Sequence, residues 1–401
     1  MYQHLAILAA FVFVYSAVAG RMEKMPISGA IVAMGFGLAC GPLGLRIFTP
    51  HIDGELLRTM AELTLALVLF TDAANADLGV LKINRQFPER LLLMGLPLTI
   101  LLGFGFGVLV FPGMTLFELA VRATMLAPTD AALGKAVVTN PTVPATLREG
   151  LNVESGLNDG ICVPILFVFL ALASEATISG SGAQLALVLV AQQIGIGAAV
   201  GLVLTAAGGW FLKRCAQRNW ITETWRQLPV VALALMCFAV AQVLGGSGFI
   251  AAFTGGILFG SLTKEHKQDL LRAAEGAGDT LSLATWVSFG AAVVGQLIGE
   301  LSWPILTYSI LSLTVVRMLP VYLSLTGSNL KPDSRLFLGW FGPRGLATVV
   351  FAVIVLNHHL PGGNELALTA ACTVILSILA HGFSANPLAA SLGARQVSRA
   401  E

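Results

Sequence analysis

Charge is what this chain has least of. Asp, Glu, Lys and Arg make up 11% of its 401 residues, against about a quarter in a soluble domain. So few charges cannot coat a water-facing surface, which excludes a soluble globular protein. The charges nearly cancel, at +1 net, so no nucleic-acid partner is expected. Cysteine is also sparse. Cys40, Cys162, Cys215, Cys237 and Cys372 are scattered, mostly within apolar runs and without CxxC spacing. Neither a disulfide framework nor a zinc site is expected. His51, His266, His358, His359 and His381 fall in loops or near the ends of apolar runs, where a solvated role is expected over a ligand role. No basic stretch precedes the first apolar run, Leu5 to Ala19, so a retained first span is expected over a cleaved signal peptide.

What the chain does have is apolar length. Hydrophobic residues make up 56% and the mean hydropathy is +0.82, the composition of an all-α polytopic membrane protein. Apolar runs long enough to cross a bilayer number about thirteen. They centre near residues 12, 35, 65, 100, 125, 163, 198, 234, 254, 286, 313, 346 and 375. The abundant glycines suit close helix packing in lipid. When loops are assigned alternately to the two sides, Arg46 and Arg58 alone fall on one side. The other side collects Arg21, Lys213, Arg214, Arg218, Lys331, Arg395 and the remaining loop cations. Lys and Arg accumulate in cytoplasmic loops, so the N-terminus is expected outside and the C-terminus inside, in the cell (inner) membrane. Residues 1–388 read as one transmembrane domain, and 389–401 as a short cytoplasmic tail. Pro141 to Gly150 and Lys264 to Glu275 carry amphipathic pattern on the inner side and read as interfacial helices linking spans.

Spans five and twelve are interrupted. One reads Leu126-Ala127-Pro128-Thr129-Asp130, the other Gly339-Trp340-Phe341-Gly342-Pro343-Arg344-Gly345. Proline removes a helical hydrogen bond, and in lipid the freed carbonyls need another partner. Each break also carries a charge, Asp130 in one and Arg344 in the other. Matched interruptions in two halves point to a transporter binding site. The breaks lie seven spans apart. Spans 1–6 therefore pair with 8–13, span 7 connects them, and the odd offset makes the repeat inverted.

Asp159 is the most costly residue of all. It closes Glu154-Ser155-Gly156-Leu157-Asn158-Asp159 at the head of span six, and a charge at bilayer depth costs at least ~2.5–3.5 kcal/mol. Ser155 and Asp159 share a helix face, while Glu154 and Asn158 share the neighbouring one. Thr129, Asp130, Ser155 and Asp159 offer hydroxyl, carbonyl and carboxylate oxygens, hard ligands for a hard cation. Two aspartates fall short of a divalent cage, so a monovalent cation fits better. A carboxylate that must hold either a proton or a cation couples the two, and exchange follows if only the loaded or protonated site crosses. No cofactor is expected beyond the transported ions. Glu154 has a candidate partner in Arg317, deep in span eleven, as a scaffold pair. Arg344 either neutralises carbonyls at its own break or holds Asp130. Asp72, at the inner end of span three, is a candidate for the inner approach or a solvated helix end. Arg122, inside span five, has no evident role, and Glu175 and Glu300 read as outer-loop charges.

Together, Ala127-Pro128-Thr129-Asp130, Val143-Pro144 through Arg148, and Glu154-Ser155-Gly156-Leu157-Asn158-Asp159-Gly160 resemble the NhaP-type branch of the monovalent cation/proton antiporters. Val316-Arg317-Met318-Leu319-Pro320 and Gly342-Pro343-Arg344-Gly345 are similar to that family's later basic motifs. The resemblance implies a homodimer with a transport bundle and a dimerisation bundle, exchanging sodium or lithium for protons. It implies Asp159 as the essential carrier, with Asp130, Thr129 and Ser155 completing the ion site, and Asn158 marking the electroneutral branch. It also supports Glu154 pairing with Arg317. The chain departs from the family in two places: Ala131 replaces the usual proline after Asp130, and Asp72 matches a family acidic residue only approximately. Rival readings differ in their needs. A potassium/proton antiporter or an organic-anion carrier shares the architecture, the latter through Arg344 beside a helix N-terminus. A cation channel needs a continuous pore. An intramembrane aspartyl protease resembles its relatives in a Gly-x-Gly-Asp segment, absent here.

Overall fold

A computed structural model of the chain describes residues 2–22, 28–48, 54–76, 86–130, 133, 135–138, 140, 142–178, 183–263, 267–294, 299–328 and 330–397. These residues are helical with no strand among them. Spans one to three are α1 (Tyr2–Met22), α2 (Gly29–Cys40) and α3 (Gly54–Asn75). Span four is α4 (Leu96–Val110), entered through Gln86–Arg90 and a π-helical turn at Leu91–Gly95. Span five is α5 (Leu116–Met125), an irregular stretch, and a short helix at Lys135–Val138. Spans six to ten are α6 (Ala145–Ile178), α7 (Ala183–Gln217), α8 (Leu228–Val243), α9 (Gly248–Leu262) and α10 (Lys267–Phe289). Span eleven is split into α11 (Trp303–Leu313) and α12 (Val315–Ser324), span twelve into α13 (Pro332–Trp340) and α14 (Leu346–Asn357), and α15 (Gly363–Val397) is span thirteen. Eight of these segments are long and apolar enough to cross a membrane, and α2, α9 and α14 are shorter apolar helices.

The helix starts are written in the sequence. Ser28 and Ser247 accept backbone N–H groups at the heads of α2 and α9. Thr115 and Glu118 form a reciprocal capping box on α5, which satisfies two donors that a helix otherwise leaves unpaired. The helices pack as two bundles. One gathers α4, α5, α6 and α11 to α15, and the other α1 to α3 and α7 to α10. They meet where α6 lies against α3, α7 and α9, and α14 against α3 and α10. Packing repeats at the seven-span offset: α3 lies on α9 as α10 lies on α2, and α5 on α6 as α14 on α15. Glycine permits the tightest of these crossings. A side chain at Gly37 would strike the Val287 backbone, and one at Gly256 the Phe70 backbone.

Three features differ from the sequence reading. The two amphipathic segments are not separate interfacial helices: from Ala145 and from Lys267 onward they run straight into α6 and α10. No proline separates them from the apolar turns that follow, so the helix continues (Pro141 and Lys264 lie outside the described residues). Span eleven breaks at Thr314, at φ −107 and ψ −94, so Arg317 sits in the first turn of a new helix. The last helix runs to Val397, past the end of the apolar stretch near residue 388.

Candidate functional site

The two breaks cross and complete each other. At the first, α5 ends at Met125, and the carbonyls of Ala127, Pro128 and Thr129 have left the helical ladder. Arg344 Nη1, from the second break, donates to Ala127 O at 2.8 Å and Pro128 O at 3.1 Å. Ser155 Oγ donates to Thr129 O at 2.5 Å. Asn158 holds the same residue from both sides: Nδ2 donates to Thr129 Oγ1 at 2.6 Å, and Oδ1 accepts from Thr129 N at 3.3 Å. At the second break the direction reverses. Asp130 Oδ2 accepts from Leu346 N, at the head of α14, at 3.0 Å, and Asp130 N donates to Pro343 O at 2.8 Å. Asp130 Oδ1 also accepts from Leu133 N.

A cation thus sits on the carbonyl end of one half-helix and an anion on the amide end of the other. Helix ends carry about half a charge of the matching sign, and a partly buried side chain opposite one gains up to ~2 kcal/mol. Leaving a buried carbonyl or amide unpaired costs ~1–3 kcal/mol. Arg344 therefore takes neither role anticipated for it: it serves the carbonyls of the other span's break. Gly345 is required by this fit, because a side chain there would overlap the Asp130 carboxylate. Ala131, the position of the missing proline, lies outside the described residues.

Asp159 stands apart from Asp130. It is 7% exposed, and its Oδ1 is buried without a hydrogen-bond partner among the described residues. The charges that surround it are Asp130, Asp72 and Arg344. Thr129, Asp130 and Ser155 line one small cavity with Val137, Val138, Leu151, Phe341 and Pro343. Asp159 does not line it, and follows Ser155 one turn along α6. Asp72 is partly exposed in the last turn of α3, and its backbone packs against Gly156, the residue after Ser155. Glu154 turns away from the cavity, as its helix face dictates. Arg317 holds it through two bonds of 2.6 and 2.8 Å, both side chains being 2% exposed.

Sequence reasoning missed several participants. His381 is not solvated: it is 2% exposed in the middle of α15, against Trp340 and Phe341 of the second break. The helix simply continues past it, so the end of the apolar run is not the end of burial. His358 and His359 are exposed, and His51 and His266 lie outside the described residues. Ser377, which accepts from Arg344 N at 2.7 Å, was also missed. A signal was available: Thr369, Thr373, Ser377 and His381 recur every four residues on an otherwise apolar helix, one polar face. Arg122 is fully buried, with its guanidinium 3.4 Å over the Phe111 ring.

Two crossed, interrupted helices packed beside a third that carries a buried carboxylate define a class, the multi-pass membrane transporter. Known proteins place the chain within that class. Residues 7–391 match the family model for the sodium/hydrogen exchanger transmembrane domain, and the chain belongs to that family, one of transporters rather than enzymes. The K(+)/H(+) antiporter NhaP2 of Shewanella oneidensis is 26% identical over 64% of this chain and 44% of its own. The Na(+)/H(+) antiporter of Schizosaccharomyces pombe is 25% identical over 91% of this chain and 85% of its own. The chain thus spans less than half the length of the first of these relatives. In fold it is similar to the sodium proton antiporter MjNhaP1 of Methanocaldococcus jannaschii, with a TM-score of 0.79 at 19% identity over 94% of this chain and 98% of that one.

Proposed function

We propose that the chain exchanges a monovalent cation, sodium or lithium, for a proton by alternating access. The observation that carries this reading is the Oδ1 of buried Asp159, which has no hydrogen-bond partner among the described residues. An ionised carboxylate in that position is costly unless something compensates it. A proton compensates it, and so does a bound cation, and the two compete for the same oxygen. Asp130, Thr129 and Ser155 supply the neighbouring oxygens. Asn158 holds Thr129 in place, Glu154 and Arg317 brace α6 against α12, and Arg344 braces the crossing. Asp72 lines the inner approach.

One negative charge at the carrier supports an electroneutral cycle, one cation for one proton. Residues 1–388 form one transmembrane domain, in which spans 1–6 and 8–13 are inverted repeats and span 7 connects them, and 389–401 form a cytoplasmic tail. The protein works as a homodimer in the cell membrane, N-terminus outside, and serves pH homeostasis without a cofactor. A second reading, potassium as the cation, is favoured by the activity named for the Shewanella relative. Proteoliposomes with an imposed proton gradient and a pH dye test both. Sodium or lithium should collapse the gradient; collapse by potassium alone would move the assignment to the second reading, and no response to any of the three between about pH 6 and 9 would sink both.

A further inference from the structure

The break in span twelve removes one helical hydrogen bond in particular. In an unbroken helix Trp340 O accepts from Arg344 N–H, four residues on. Here Gly342 and Pro343 open the turn, and both groups reach to α15 instead. Arg344 N donates to Ser377 Oγ at 2.7 Å. Ser377 Oγ lies 3.2 Å from His381 Nδ1, and His381 Nε2 lies 2.7 Å from Trp340 O. A carbonyl only accepts, so Nε2 carries a proton and donates it. Nδ1 likewise faces a carbonyl, Ser377 O at 2.8 Å, so the ring is held between the Trp340 and Ser377 carbonyls with Ser377 Oγ beside it. Ser377 thus takes up Arg344 N–H, and His381 takes up Trp340 O, from neighbouring turns of α15. Each of the two groups freed by the break is satisfied by its own side chain from α15.

The surroundings fix this arrangement. Ser377 and His381 are four residues apart and share a face of α15. Trp340 Nε1 donates to Ser384 Oγ one turn further on, at 2.8 Å. Trp340 O also accepts from Gly342 N, and His381 Nδ1 also lies 2.8 Å from Ser377 O. The charged groups facing the ring are Arg344 from the break and Arg317 from α12, the latter neutralised by Glu154. Neither Ser377 nor His381 lines the cavity at Asp130. Their effect reaches it through Arg344, whose guanidinium lies on the carbonyls of Ala127 and Pro128.

We propose that Ser377 and His381 are positioning residues for ion exchange, a two-residue relay in which Ser377 holds Arg344 N–H and His381 holds Trp340 O in place of the Trp340–Arg344 bond, and so keeps Arg344 against the first break. The proposal rests on the exchange reading of the site. In proteoliposomes, His381→Leu and Ser377→Ala should each lower the maximal rate about tenfold, and the double variant little further. The half-saturating cation concentration should change less than about twofold, because no ion ligand is removed. His381→Gln should restore most of the rate, since its amide N–H reaches the same carbonyl. A second readout needs no transport: backbone hydrogen exchange over residues 340–348 should quicken about tenfold in Ser377→Ala and His381→Leu, with α8 and α9 unchanged. If wild type exchanges ions and Ser377→Ala and His381→Leu match it, the relay is refuted while the function stands. If wild type exchanges nothing, the function falls, and equal protection of residues 340–348 in wild type and Ser377→Ala would refute the relay by itself.

Discussion

Asp130 and Asp159 are the same residue type with opposite employment. Both oxygens of Asp130 accept backbone amides, whereas Asp159 keeps a buried oxygen that no donor reaches among the described residues. Asp159→Asn should abolish exchange, a loss of more than about a hundredfold, in a protein that still elutes as a folded species. Lowering the pH should raise the half-saturating cation concentration, approaching about tenfold per unit once the proton holds the site, and an affinity that ignores pH would break the competition. Glu154 and Arg317 answer to stability. Glu154→Gln strands a buried guanidinium and should cost ~3–5 kcal/mol, while Glu154→Leu with Arg317→Met should recover most of it, measured as detergent-melting midpoints. At this scale the sequence was readable wherever the cost was local. A carboxylate heading an apolar run, or Glu154 facing away from Ser155 on one helix, needs only helical periodicity to interpret. His381 was not readable, because its burial depends on Trp340 and Phe341 lying across it.

The elements show how a proline break is made tolerable in lipid. Both interruptions were visible in Pro128 and Pro343, and so was their seven-span offset. Their mutual repair was not, since nothing in the order of residues says that Arg344 leaves its own break to serve Ala127 and Pro128. The split at Thr314 was equally hidden, lying inside an apolar run. Gly345 is the sharpest probe of the crossing. Gly345→Ala places a methyl group against the Asp130 carboxylate. It should destabilise the fold by ~1–3 kcal/mol and slow exchange. Unchanged melting and transport would mean that the two breaks do not approach as closely as described.

For the whole molecule, the division into two bundles supplies the moving parts that the proposed alternating access requires. The bundles approach closely along α6, where Gly156 meets the Asp72 backbone and Gly160 meets the Phe253 ring. Rigid-body motion of one bundle past the other needs such a smooth seam. A one-for-one exchange moves no net charge, so clamping the membrane potential at either sign should leave the rate unchanged. A rate that follows the potential would contradict one-for-one exchange. The alternation of basic loops spoke to orientation, but the seam between bundles could not be read from apolar runs, which report depth in the bilayer and not neighbours. The central claim is that one buried carboxylate couples cation to proton. It is tested most directly by loading proteoliposomes with a pH dye, imposing a proton gradient, and adding sodium to wild type and to Asp159→Asn in parallel. Collapse of the gradient in wild type with none in the variant is the expected result; equal collapse in both would contradict it.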